Sequence, residues 1–293
     1  YNNTWFLKRG YCMRKNIYQI NMTEGSLLPK ILMFSLPLMA SSILQLLFNA
    51  ADIIVVGKFA GSQSLAAVSS TGALINLIVN LFIGLSIGTN VLVARYIGAN
   101  EQEEISKTVH TAMMLSFIGG LILTVFGVIA AKPMLHLMDT PDDVIDLSAL
   151  YLRIYFLGTI ANLIYNYGAS ILRAKGDTKR PLYYLALAGA VNIVLNLILV
   201  IIFHLDVAGV AIATVTSQII SAVLIFICLM NESGGMQLKP KLLKMDWEKL
   251  LQILKIGLPA GIQGSIFSLS NVMIQTSVNS FGSIVMAGNG AAS

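Results

Sequence analysis

The sequence contains seven apolar segments, each long enough to cross a lipid bilayer as a helix of about 20 residues. The candidate crossings are residues 31–57, 66–94, 108–131, 147–172, 182–203, 208–230 and 250–280. The charged residues within them are Asp52, Arg153 and Lys255. Charged residues make up 11% of the chain, whereas a soluble domain carries about 25%. The chain is therefore predicted to be an all-α polytopic membrane protein.

The loops between these segments carry most of their basic residues on one side of the membrane. The second, fourth and sixth loops hold Arg95, Lys107, Arg173, Lys175, Lys179, Arg180, Lys239, Lys241, Lys244 and Lys249. The odd-numbered loops hold only Lys58 and Lys132. Because basic loops stay in the cytoplasm, we expect a cytoplasmic N-terminus and a multi-pass protein of the plasma (inner) membrane. The net charge of +5 then reflects topology, and we expect no nucleic-acid partner.

The seventh segment repeats the pattern of the first. Seven residues recur at an offset of 222 residues. They are Ile31, Leu32, Leu36, Pro37, Asn49, Val56 and Phe59, which recur as Ile253, Leu254, Leu258, Pro259, Asn271, Val278 and Phe281. Six crossings return the chain to the cytoplasm, so the repeat predicts two parallel six-helix halves. Because the second repeat stops at Ser293, we expect a truncated twelve-helix protein that lacks about five crossings.

These features predict four regions. Residues 1–21 form a disordered or upstream tail, with a genuine cytoplasmic extension as the alternative. Residues 22–230 form an N-terminal six-helix transmembrane lobe, residues 231–249 a cytoplasmic linker with the start of an amphipathic helix, and residues 250–293 the beginning of the second lobe. Asp246 is predicted to be the N-cap of a surface helix that leads into the seventh crossing.

Asp52 is the only carboxylate inside a predicted crossing, and an ionisable residue there is a candidate functional residue. Counting about 1.5 Å per residue from the ends of the segments places Asp52 roughly 9 Å below the outer surface. The same count places Asn196 and Thr214 roughly 12 Å deep, and Asn192 shares a helix face with Asn196. The alternatives are an interfacial Asp52, asparagines that only bond neighbouring helices, and a structural Thr214.

Two kinds of ion suit these groups. Carboxylate, amide and hydroxyl oxygens can hold Na⁺ that has shed some of its water. Alternatively, a desolvated aspartate can take up a proton. Either event neutralises Asp52 and changes which helix packing is favoured. We therefore predict coupling to Na⁺ or H⁺ at Asp52, Asn192, Asn196 and Thr214, with no other cofactor.

Two backbone features predict the geometry of individual helices. Pro37 removes a backbone hydrogen bond from the first crossing, so it is either a hinge or a static kink. Gly84 and Gly88 predict close packing of the second crossing against a neighbour.

Four stretches of the sequence resemble one transporter family. They are "MTEGSLLPKILMFSLPLMASSILQLLFNAADIIVVGKFAGSQSLAAV", "NVLVARYIGA", "LRAKGDTKRP" and "GVAIATVTSQ". In this order and spacing they resemble the multidrug and toxic compound extrusion (MATE) family, from about residue 22 to the end of the chain.

The resemblance implies twelve helices in two six-helix lobes around a central cavity. It also implies antiport, in which organic cations or other amphipathic drugs leave as Na⁺ or H⁺ enters. Asp52 with Gly57 matches the family's coupling aspartate on the first helix, and Asn192 and Thr214 match its polar partners.

Two positions depart from the family pattern. Asn196 stands where some prokaryotic members have an aspartate, and Phe48 stands where a tyrosine occurs one turn before the coupling aspartate. Both changes leave fewer ligands and less charge, so the sequence does not choose between Na⁺ and H⁺.

Other function classes fit the sequence less well. A primary pump needs a phosphate-binding run G-x-x-x-x-G-K-[ST], which the sequence lacks. An enzyme needs a base or nucleophile paired with Asp52, and we expect none. A lipid-linked oligosaccharide flippase would carry several cavity arginines, whereas the crossings offer only Arg153 and the boundary residue Arg95. A non-transporting structural membrane protein would not need polar groups at one level on three crossings.

The predicted partners are a small amphipathic or cationic substrate and the lipid bilayer, and we expect a monomer. Phe156, Tyr165 and Tyr167 are candidate cavity residues, because aromatic rings bind cations. The alternative is that their rings face neighbouring helices.

Overall fold

A computed structural model describes residues 26–292 as helices joined by short turns. The helices are α1 (Leu27–Phe59), α2 (Gly61–Gly98), α3 (Gln102–Leu137), α4 (Asp142–Leu157), α5 (Thr159–Ala174), α6 (Lys179–Leu197), α7 (Asp206–Met230), α8 (Trp247–Asn279) and α9 (Ser283–Ala292). A π-helical turn, Ile198–Ile202, follows α6, and two 3-10 turns, Gly234–Met236 and Pro240–Leu242, lie between α7 and α8. No strand occurs within residues 26–292, which agrees with the predicted all-α class. The predicted tail, residues 1–21, lies outside the described residues.

The apolar helices account for the seven predicted crossings. Six are long and apolar enough to span a membrane: α1, α2, α3, α6 with its π turn, α7 and α8. The pair α4–α5, bent by 48°, brings the number to seven when it is counted as one crossing. Several helices are longer than the predicted segments, because their polar ends extend beyond the hydrocarbon core of the bilayer. The predicted polytopic membrane class is confirmed.

The fourth predicted crossing, residues 147–172, consists of two helices. Helices α4 and α5 meet at Gly158. A bilayer core offers no water to a broken helix, so a freed carbonyl needs a donor from the protein. The Phe156 carbonyl accepts hydrogen bonds from the hydroxyls of Thr124 at 2.8 Å and Thr159 at 2.7 Å. These two threonines therefore supply hydrogen-bond donors to a backbone carbonyl where the chain bends.

Helices α2 and α8 pack with their backbones almost in contact. A Cβ atom on Gly84 would lie 2.2 Å from the Cα of Gly261, and one on Gly88 would lie 2.5 Å from the carbonyl oxygen of Ile253. Glycine permits such an approach between membrane helices because it has no side chain. The close packing predicted for Gly84 and Gly88 is confirmed, and it joins the first six crossings to the seventh.

Helix α8 begins directly after Asp246, whose side chain accepts a hydrogen bond from the Lys249 N–H at 3.1 Å. The predicted N-cap is confirmed. The helix then continues through Pro259 to Asn279. The predicted surface helix leads into the seventh crossing without a break and packs against the other helices: Lys249 is buried, and its ammonium donates to the hydroxyl of Tyr96 at 2.8 Å.

A buried charge cluster ties the loop after α7 to the loop between α5 and α6. The Glu232 carboxylate accepts hydrogen bonds from Lys175 Nζ at 2.7 Å and pairs with Arg180 Nη1 at 2.6 Å. Arg180 Nε also pairs with Asp177. Burial raises the pKa of the Glu232 carboxyl, but the hydrogen bonds and charges of Lys175 and Arg180 outweigh burial and hold that pKa below its usual range.

Glu232→Gln should destabilise the protein by about 1.5–3 kcal/mol near neutral pH, because Lys175 and Arg180 lose a charged hydrogen-bond acceptor that they share. Since the folded-state pKa of Glu232 is lowered, its stabilisation is present above the unfolded-state pKa of about 4.3 and is lost as the pH falls through the folded-state value. The unfolding temperature of the variant should therefore lie below that of wild type near neutral pH, and the difference should become smaller in acid. Glu103→Gln, at an exposed position, is the control. A difference in unfolding temperature between wild type and Glu232→Gln that does not change with pH would contradict the prediction.

Candidate functional site

Three helices bring the four predicted ion-coupling residues into contact. The side-chain amide of Asn196 on α6 donates hydrogen bonds to Asp52 Oδ1 on α1 and to Asn192 Oδ1 at 3.3 Å. Asn192 donates to Thr214 Oγ1 on α7 at 3.4 Å, so the two asparagines link Thr214 to Asp52. Asp52 is only 8% exposed and Asn196 1%. We call these four residues the Asp52 cluster; their role in coupling stays a prediction.

Close packing of α1 on α6 holds Asp52 against the two asparagines. Asn192 and Asn196 are one helical turn apart, so they share a face of α6. The Phe48 ring, one turn before Asp52, packs against Gly189, where an added Cβ would lie 1.9 Å from the ring. A larger residue at Gly189 would push α1 away. The absence of a side chain there therefore sets the distance at which Asp52 reaches Asn196.

One buried oxygen of the cluster has no hydrogen-bond partner within residues 26–292. It is Oδ1 of Asn196, whose amide nitrogen already donates to Asp52 and Asn192. Leaving a buried acceptor unpaired is costly, so a ligand that this oxygen can bind is favoured. A cation would gain an amide oxygen as a ligand, and a protonated Asp52 would gain an acceptor.

The chemistry of the cluster suits an ion of low charge. It offers one carboxylate together with amide and hydroxyl oxygens, which are the ligand types of hard cations. No group of three or more His, Cys, Asp or Glu side chains placed to hold a metal occurs in the described part of the chain. With a single carboxylate, the cluster becomes neutral when it binds one monovalent cation or one proton.

The sequence analysis does not identify a fifth residue that interacts with Asp52. Tyr151 on α4 is buried and near enough to Asp52 to interact with it electrostatically. Its ring stacks on that of Tyr155, with 6.2 Å between the ring centroids and 27° between the planes. Two tyrosines one turn apart in an apolar segment are the sequence signal that could have identified this face of the fourth crossing.

The predicted cavity aromatics lie inside the helix packing instead. Phe156 and Tyr167 are fully buried, and Tyr165 is nearly so. The Phe156 ring packs against Gly127, where a Cβ would lie 2.1 Å from the ring, and the Tyr165 hydroxyl donates to the Pro181 carbonyl oxygen at 3.0 Å. The structure therefore does not support these rings as cavity-lining residues, and the alternative placement against neighbouring helices applies.

Pro37 is not brought to the Asp52 cluster. It lies roughly four turns before Asp52 on α1, which remains a continuous helix through the proline. The hydroxyl of Ser41 donates to the Pro37 carbonyl oxygen at 2.9 Å. Pro37 therefore stays a predicted hinge at a distance from the polar cluster.

The arrangement of these helices can be compared with known proteins. The sequence profile of the MatE family matches residues 37–198, which is more than half of the chain. The chain belongs to the MatE family. The matched range runs from within α1 to the end of α6, so it includes Asp52, Asn192 and Asn196 of the cluster.

Two relatives of this MatE chain come from Bacillus subtilis (strain 168). The chain is 33% identical over 265 residues to the probable multidrug resistance protein YoeA and 28% identical over 272 residues to the probable multidrug resistance protein YpnP. The alignments cover 88% and 92% of this chain but 57% and 60% of those relatives. The chain thus spans less than two thirds of the length of these relatives.

Solved MATE transporters share the fold. An inward-facing multidrug resistance MATE family transporter superposes with a TM-score of 0.78 at 27% identity, covering 85% of this chain and 57% of that chain. A MATE protein in the bent conformation gives a TM-score of 0.74 at 26% identity, covering 89% and 65%. The family predicted from the sequence motifs is confirmed, and the chain is a multi-pass membrane protein of this family.

Proposed function

We propose that this chain forms the ion-coupling half of a secondary active exporter of amphipathic or cationic compounds, driven by antiport with Na⁺ or H⁺. The observation that carries the proposal is the buried Asp52 on α1, which accepts a hydrogen bond from Asn196 on α6 and is linked through Asn192 to Thr214 on α7. The names of the Bacillus relatives support the export of drugs.

The Asp52 cluster would act by changing which helices it holds together. When Asp52 is charged, the Asn196 amide donates to it and draws α1 onto α6. Binding of a cation or a proton removes that charge and engages the free Oδ1 of Asn196. Because a ligand shifts a conformational equilibrium only through different affinities for the two states, this rearrangement would link ion binding to the movement of α1.

The proposal extends to topology and organisation. Residues 22–230 would form one six-helix lobe of a monomer in the plasma membrane, with a cytoplasmic N-terminus. Residues 231–249 would form a cytoplasmic linker, and residues 250–293 would begin the second lobe. Export of a lipid-linked oligosaccharide is less favoured, because Arg95 and Arg153 are exposed on two different helices rather than gathered at one site.

Dye export tests the proposed function and names the ion. The protein is expressed from its complete reading frame in a bacterium that lacks its own exporters, and accumulation of a fluorescent cationic dye is followed. We expect cells with the protein to accumulate less dye than the vector control. Removing one of the two gradients, Na⁺ or proton, should restore dye accumulation, and that gradient identifies the coupling ion. Unchanged accumulation with the protein present in the membrane would contradict drug export.

If Na⁺ is the coupling ion, Asn196→Leu should raise the Na⁺ concentration needed for half-maximal export by roughly 5-fold to 150-fold, equivalent to the loss of about 1–3 kcal/mol of polar interaction. If the coupling ion is H⁺, the proton concentration needed should fall instead, because charged Asp52 loses a hydrogen-bond donor. The variant removes both the donor to Asp52 and the unpaired oxygen beside it. Asn166→Leu is the matched control, because its amide donates only to Asn162 one turn away on the same helix. An equal shift in both variants would contradict a specific role for Asn196.

A further inference from the structure

The linker between α7 and α8 runs along the end of α3 rather than free of the bundle. The Gly235 N–H donates to Gln102 Oε1 at 2.9 Å, and the Lys239 N–H donates to His110 Nε2 at 3.2 Å. The Asp246 N–H donates to the hydroxyl of Thr111, next to His110, at 3.1 Å. The linker therefore follows α3 for about 12 Å, from its first residue to its third turn.

This path brings the later part of the linker to the level at which α3 becomes apolar. Residues 102–107 of α3 are mostly polar, and a predicted crossing begins at residue 108. At that level the structure exposes two large apolar side chains, Leu242 at 58% and Trp247 at 71%. Tryptophan is enriched where a membrane meets water. The segment from Leu242 to Trp247 thus has the position and composition of a membrane interface.

Three lysines accompany these apolar side chains. Lys239, Lys241 and Lys244 are exposed and form no ion pair within residues 26–292. In contrast, Lys107 and Lys249 nearby both pair with Glu104. The charge of the three linker lysines is therefore available to an anionic partner.

Two grooves on this surface have the size of a small headgroup. Both include Leu242 in their lining. One has a volume of about 490 Å³ and is lined by Lys239 and Lys241. The other has a volume of about 340 Å³ and is lined by Lys244 and also by the acidic residues Glu103 and Asp246. A ligand in either groove would meet a basic side chain and an apolar side chain together.

We propose that the linker binds the headgroup of an anionic phospholipid. The phosphate pairs with Lys239 and Lys241 in the first groove, and Lys244 in the adjoining groove adds positive charge, while Leu242 and Trp247 lie against the acyl chains. Lysines near a bilayer surface attract anionic lipids through charge, and the exposed apolar side chains favour a lipid over a soluble anion. This inference holds for either direction of transport and for either ion.

Lipid binding by the purified protein tests this inference. The protein, expressed from its complete reading frame, is titrated with phosphatidylglycerol or with phosphatidylcholine of the same acyl chains, and bound lipid is counted by native mass spectrometry. The variant Lys241→Gln/Lys244→Gln is compared with Lys58→Gln/Lys132→Gln, which removes the same charge from other loops. Lys241→Arg/Lys244→Arg keeps the charge and controls for folding.

We expect wild type, the arginine variant and the other-loop variant to prefer phosphatidylglycerol. The Lys241→Gln/Lys244→Gln variant should lose on the order of tenfold in phosphatidylglycerol affinity at low salt. Equal affinity for the two lipids in wild type would overturn the inference. An unchanged preference in Lys241→Gln/Lys244→Gln, or an equal loss in the other-loop variant, would do the same. Binding of inorganic phosphate with the same lysine dependence and no lipid preference would assign the site to a soluble anion instead.

Discussion

Asp52→Asn should uncouple drug export from the ion gradient. Asparagine keeps the size of the side chain and can still bond Asn196, but it cannot exchange charge with a cation or a proton. A typical coupling free energy of about 1–3 kcal/mol would be lost, so gradient-driven dye export should fall by roughly 5-fold to 150-fold. Dye accumulation at matched protein levels measures this fall.

Asp206→Asn is the matched control, since it removes the same charge from the exposed first turn of α7. This variant should export dye as well as wild type does. If Asp52→Asn also exports at the wild-type rate, Asp52 is interfacial or redundant. The proposed role of the Asp52 cluster would then be wrong.

Gly84→Ala should be the most destabilising single-methyl change in α2. The added Cβ would lie 2.2 Å from the Cα of Gly261, and backbone atoms cannot move aside as the tip of a flexible side chain can. Helices α2 and α8 must therefore separate along their glycine contact. Overpacking of this kind costs roughly 3 kcal/mol, and thermal unfolding of the purified protein should show the loss.

Gly72→Ala on the same helix is the control for this prediction. A Cβ on Gly72 meets no atom within 4 Å, and alanine favours a helix over glycine by about 0.5–1 kcal/mol. This variant should therefore unfold at the same or a higher temperature than wild type. Equal stability of Gly84→Ala and Gly72→Ala would contradict the close contact between α2 and α8.

The positions of the polar residues along the crossings were sufficient to group the Asp52 cluster. A helix advances by a fixed rise per residue, so depth in a membrane can be counted from the ends of each segment. Asp52, Asn196 and Thr214 were placed at similar depth in this way, and the structure has them in one hydrogen-bonded group. The composition of the segments likewise predicted the membrane class.

Rotation about each helix axis could not be obtained in the same way. Depth does not tell which face of a helix meets which neighbour when most faces are apolar. For this reason the sequence does not reveal that Tyr151 interacts electrostatically with Asp52, and it predicts a cavity position for Phe156 and Tyr167, which are buried.

Breaks and loop paths depend on contacts between residues distant in sequence. The bend at Gly158 relies on the hydroxyl of Thr124, which lies on another helix. The path of the linker relies on His110 and Thr111, which accept backbone hydrogen bonds from it. No local sequence pattern contains these pairings.

Equilibrium binding of a fluorescent cationic drug to the purified protein tests the central claim most directly. If occupation of Asp52 by the ion and binding of the drug are coupled, one cation, Na⁺ or H⁺, should weaken drug binding to wild type by roughly 5-fold to 150-fold. Drug binding to Asp52→Asn should be independent of that cation. The same cation dependence in wild type and in Asp52→Asn would contradict the claim that Asp52 is the coupling carboxylate.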